Sequence, residues 1–95
     1  MGYQLKKHEP YVITGKEGAE YIIPAALDLG IDGIKLSLAF DNAKDEVEKV
    51  KACKAFFLHF APNLEDEKIG DMEYFNIFQD YNKTGSADKK KLGES

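Results

Sequence analysis

Tyr11-Val12-Ile13-Thr14-Gly15-Lys16-Glu17-Gly18-Ala19-Glu20-Tyr21-Ile22-Ile23 decides the fold class, because it is the stretch where the chain reads as strand. Two β-branched and aromatic runs, Tyr11 to Thr14 and Glu20 to Ile23, flank a turn with glycine at either end for positive φ. The spacing predicts a hairpin that Pro24 ends. Tyr3 and Leu5 alternate with polar neighbours and are candidates for a third strand, with Pro10 then at an edge or bend. A two-stranded hairpin is marginal in water. Its inner face must therefore lean on helices supplied by the rest of the chain.

Outward from the hairpin, Ala25 to Leu29 reads as a helical turn stopped by Gly30. Ile34, Leu36, Leu38 and Phe40 alternate in a way that fits strand as well as helix, and we read residues 25–40 as helix. Asp41-Asn42 offers an N-cap, and the early acids Asp45, Glu46 and Glu48 suit the positive end of a helix that runs to Ala61. On that helix Ala43, Val47, Val50, Phe57, Leu58 and Ala61 share a face that Cys53, Phe56 and Phe60 widen to an arc of about 200°. Lys54 projects from within the stripe and is expected to snorkel. Pro62 closes the helix. Met72, Phe75 and Phe78 recur on a last helix, with Tyr74, Ile77 and Tyr81 as a second apolar flank. The expected architecture is α+β and mainly helical: an N-terminal hairpin, or three strands, packed on about three α-helices. Residues 1–83 form one small domain, and residues 84–95 read as a flexible polar tail.

Composition narrows the function. A chain of 95 residues buries roughly 60–65% of its unfolded surface, so a partner or a second copy of the chain would add useful stability. The net charge is −4 and all 13 basic residues are lysine, which argues against nucleic acid, whose bidentate readers are arginines. No apolar run approaches the roughly 18–20 residues of a membrane span, and Met1 to Lys7 lacks the apolar core of a signal peptide. The chain is expected to stay in the cytoplasm where it is made. Cys53, the sole cysteine, has no internal partner and reads as a small buried hydrophobe.

The chemistry-bearing motifs are few. His8 and His59 have no serine or cysteine plus acid at a persuasive spacing, and there is no phosphate loop, paired cysteine or helical zinc motif. We expect neither an enzyme nor a cofactor or metal site. Asp80-Tyr81-Asn82-Lys83-Thr84-Gly85 reproduces the opening of an EF-hand loop, with oxygens at positions 1, 3 and 5 and glycine at 6. Position 12, which should be a bidentate glutamate, is Lys91, and the same hexamer also reads as a helix exit capped by Gly85. A degenerate calcium-binding protein is thus the weakest of the alternatives.

The surplus of aromatics has two uses: both arcs are consumed inside the domain, or part of them forms an exposed patch that binds a partner. The candidate binding residues are Phe56, Phe57, Phe60, Tyr74, Phe75, Phe78 and Tyr81.

A hairpin closing in Glu20-Tyr21-Ile22-Ile23-Pro24-Ala25, a helix running into Phe57-Leu58-His59-Phe60-Ala61-Pro62-Asn63-Leu64, an acidic stretch, and the closing helix Met72 to Tyr81 together resemble the small tail assembly chaperones of long-tailed phages infecting low-GC Gram-positive bacteria. The resemblance covers residues 9–83 and lies in layout rather than in an invariant motif. It implies a protein that coats the helical tape-measure protein in the host cytoplasm, keeps it soluble while the tail tube polymerises, and is absent from the mature virion. It also implies a helix-binding groove lined by Phe56, Phe57, Phe60, Phe75 and Phe78. Family members are often made in two lengths by a ribosomal frameshift, for which Lys89-Lys90-Lys91 offers a codon run. The alternative is a generic non-catalytic interaction module of phage or bacterial origin.

With Lys91 in place of the bidentate glutamate, millimolar calcium is expected to leave the melting temperature unchanged. A calcium-dependent rise that disappears in Asp80→Ala would restore the EF-hand reading.

Overall fold

The computed structural model describes residues 2–5 and 7–94, the last of these, 84–94, by backbone alone. The hairpin forms as its sequence dictates. Strands β1 (Tyr11–Thr14) and β2 (Glu20–Ile23) pair antiparallel in the register Tyr11↔Ile23, Val12↔Ile22, Ile13↔Tyr21, Thr14↔Glu20. Period-2 alternation turns Tyr11, Ile13, Tyr21 and Ile23 toward the helices and leaves Val12 and Ile22 on the outer face. The turn closes through Gly15 N–H to the Ala19 carbonyl (2.6 Å) and Gly18 N–H to the Gly15 carbonyl (3.1 Å). Gly18 has φ +91, a conformation that costs a residue with a Cβ.

Among the described residues no third strand forms. Tyr3 and Leu5 are exposed and lie outside the sheet, which has two strands among the described residues. Two alternating apolar residues followed by Lys6-Lys7 bury too little against an edge to offset the entropy of ordering the segment.

After Pro24 the chain makes a single 3-10 turn, Ala26–Asp28, and then helix α1 (Ile31–Asp41), with Gly30 as its extended N-cap. Helix is the outcome for the ambiguous stretch. Gly33, Leu36 and Phe40 share one side of α1 and face the core. Asp41-Asn42 ends this helix rather than starting the next, correcting the expected N-cap. The cap of helix α2 (Glu46–Phe60) is Asp45, whose Oδ1 accepts from Glu48 N–H (2.8 Å) while Glu48 Oε2 accepts from Lys44 N–H (3.1 Å). Asp45 thus satisfies one of the orphan donors that open a helix, while Glu48 folds back on the residue before the cap. Asp41 misses the role because the N–H groups of Asn42 and Ala43 are still donating back to Leu38 and Phe40.

Pro62 ends α2 and opens a 3-10 segment, Pro62–Glu67, that buries Leu64. Lys68, at φ 54, turns the chain through the left-handed region and leads it to helix α3 (Asp71–Glu94). The backbone of α3 continues past Lys83 through Gly85, so the helix exit read at Gly85 is corrected: adjacent residues keep the intrahelical ladder, and one glycine costs it only about 1 kcal/mol.

Helix α2 is the central element, touching α1, α3, the 3-10 segment and β2. Gly33 near the start of α1 meets Phe60 at the end of α2, so α1 folds back along α2. Lys54 and Phe57 of α2 meet Asp71 and Phe78 of α3, so α3 runs in the same sense as α2. The core is Ile23, Cys53, Phe56, Phe57, Ala61, Leu64, Tyr74, Phe78 and Tyr81. Cys53 is fully buried there, and burial pushes its thiol up to about 11.

Truncating the central ring, Phe56→Ala, is expected to cost about 3–5 kcal/mol, and Asp45→Ala about 1 kcal/mol. Urea denaturation followed by circular dichroism measures both, and near-equal midpoints for the two variants would contradict this account of the core.

Candidate functional site

The predicted binding residues come together, but inside the fold. Phe56, Phe57, Tyr74, Phe78 and Tyr81 are buried, while Phe60 and Phe75 are partly buried against the same core. Of the two uses the sequence leaves open for these aromatics, they take the one inside the domain. The cause is that the wide arc of α2 meets α1, α3, the 3-10 segment and β2 rather than a single neighbour. Phe56 lies 5.2 Å from Phe57 and from Phe60, 5.3 Å from Phe78 and 5.5 Å from Tyr81, centroid to centroid. Phe40 of α1 reaches Phe78 at 4.6 Å and Phe75 at 5.9 Å. The hairpin supplies Tyr11, edge-on to Tyr81 at 5.4 Å. Phe60 closes against Gly33, where an added Cβ would sit 2.7 Å from Phe60 Cζ.

Polar contacts fix the hairpin at the rim of this core. Tyr81 OH donates to the Pro24 carbonyl (2.7 Å), and Tyr11 OH donates to Asp80 Oδ2 (2.6 Å). Glu67 accepts from Lys16 N–H (3.0 Å) and from Tyr21 OH (2.7 Å), and Lys16 Nζ donates to the Glu67 carbonyl (3.1 Å). A Cβ at Gly15 would collide with the Glu67 carboxylate, so glycine there admits the acid against the turn. Glu67, the last of the acidic run Glu65-Asp66-Glu67, thus supplies the clamp on the hairpin. His8 Nδ1 lies 3.0 Å from Asp28 Oδ1, and Lys54 reaches Asp71 at 3.3 Å while its ammonium stands 5.9 Å over the Tyr74 ring. The expected snorkelling of Lys54 is this arrangement.

At neutral pH the tyrosine hydroxyls of these ties keep their protons and the Glu67 carboxylate is ionised. The Lys16 amide, followed by the Tyr21 hydroxyl, holds the Glu67 carboxyl below its ordinary value. Tyr21 is pushed up to about 12, first by its hydrogen bond to Glu67, and Tyr81 to about 12 by burial. Tyr11 is raised by burial and by Asp80. Among the described residues no three His, Cys, Asp or Glu side chains converge as a metal site. None of the helices in the described residues is long and apolar enough to cross a membrane.

The apolar surface that does face solvent lies elsewhere. Ile31 is 73% exposed, Ile34 46% and Leu38 50%, at spacing i, i+3, i+7 along α1. At about 100° per residue they fall within roughly 60° of one another, opposite Gly33, Leu36 and Phe40. Helix α1 is thus apolar on two opposite sides, one consumed by the core and one open. Lys35 flanks the open stripe. Sequence reasoning missed this site because it sought the binding face among the aromatics, although it read residues 25–40 as helix. The signal that finds it is the three-and-four spacing of Ile31, Ile34 and Leu38, once the stretch is taken as helix. Val47 and Met72 are also exposed, beside an open hollow of about 300 Å³ between the first turns of α2 and α3.

Compared with protein-family models, with curated proteins and with solved structures, the chain has no match in any of the three.

Because the folded Glu67 carboxyl lies below its ordinary 4.5, its stabilising effect is present above that pH and lost as pH falls through the folded value. The stability gap between the wild type and Glu67→Gln is therefore expected to be widest near neutrality and to close in acid. The raised phenols act at the other end: their contribution is present below about 10 and lost as pH rises through about 12. Denaturant midpoints measured across the pH range check both arms, and a Glu67→Gln gap that is independent of pH would refute the clamp.

Proposed function

We propose that this chain is a non-catalytic binding protein that holds the apolar face of an amphipathic helix, and specifically a tail assembly chaperone that keeps the tape-measure protein soluble in the host cytoplasm during tail assembly and leaves before the virion is complete. The observation that carries the reading is the open stripe Ile31, Ile34, Leu38 on α1. Alternating steps of three and four residues are the spacing at which one helix meets another. Side chains left in water at such a spacing, on a helix whose other side already fills the core, favour a partner over a packing role. The layout of hairpin, aromatic helix, acidic stretch and closing helix supplies the resemblance to the phage chaperones. The contact residues of this proposal are the aliphatics of α1, in place of the aromatics, whose rings pack on one another.

The test is co-expression with the tape-measure chain encoded at the same locus. The wild type is expected to keep that chain in the soluble fraction, and Ile34→Asp to lose the effect while melting within a few degrees of wild type, as surface substitutions do. A wild type that leaves the tape-measure chain insoluble would overturn the chaperone reading. An Ile34→Asp variant as active as wild type would overturn the assignment of the surface.

A further inference from the structure

We draw no further inference here: the strongest candidate, the open apolar hollow of about 300 Å³ lined by Val47, Val50 and Met72 between the first turns of α2 and α3, carries nothing because nothing in the structure shows what covers it.

Discussion

Phe56 contacts two rings of its own helix and two of α3, and this single cluster is the constraint on which the other elements depend. Edge-to-face pairs add about 0.5–1.5 kcal/mol each beyond the area they bury, so a connected set of them favours one arrangement over many. The set fixes where α3 lies on α2. Phe40 joins it through Phe78 and thereby places the end of α1, while Gly33 lets the start of α1 approach Phe60 closely. A domain this small has no second core to fall back on.

The hairpin is held in two ways that reinforce each other. Its inner face contributes Ile23, Tyr11, Ile13 and Tyr21 to the core or its margin. Its rim is tied to Asp80 and Glu67 by the Tyr11 and Tyr21 hydroxyls and the turn backbone, and at the Pro24 carbonyl by the Tyr81 hydroxyl of α3. Tyrosine suits this position because its ring is apolar and its tip is not, so one residue packs and bonds at the same boundary. The acid partners lie far along the chain, in the 3-10 segment and in α3. The tie therefore exists only when the helical body is assembled, which couples the hairpin to the rest of the fold.

The same packing bears on the proposed function. The perturbed tyrosines and the buried cysteine keep their protons at neutral pH, and each has a structural cause in burial or in a carboxylate partner. What stands out instead is apolar surface left in water on α1, on a helix that already gives its other side to the core. Such a helix is anchored rigidly by one face and can present the other without ordering anything new, which lowers the entropic cost of binding.

Much of the fold was legible in the residues. The strand runs around Gly15 and Gly18 specified the hairpin and Pro24 its end; Pro62 specified the end of α2; and the period of the aromatics specified two apolar helices, because backbone preference and side-chain spacing act over a few residues. The start of α2 was misplaced by a few positions because Asp41, Asn42 and Asp45 are all competent caps, and only the hydrogen bonds of the preceding helix decide among them. The proposed binding surface was not legible in the same way. Periodicity records that Phe56, Tyr74, Phe78 and Tyr81 share apolar faces, but says nothing of what meets those faces. That was decided by α1, α3 and the hairpin converging on α2 from distant parts of the chain. Their convergence buried the aromatics and left Ile31, Ile34 and Leu38 outside, since a small core can cover only one side of α1.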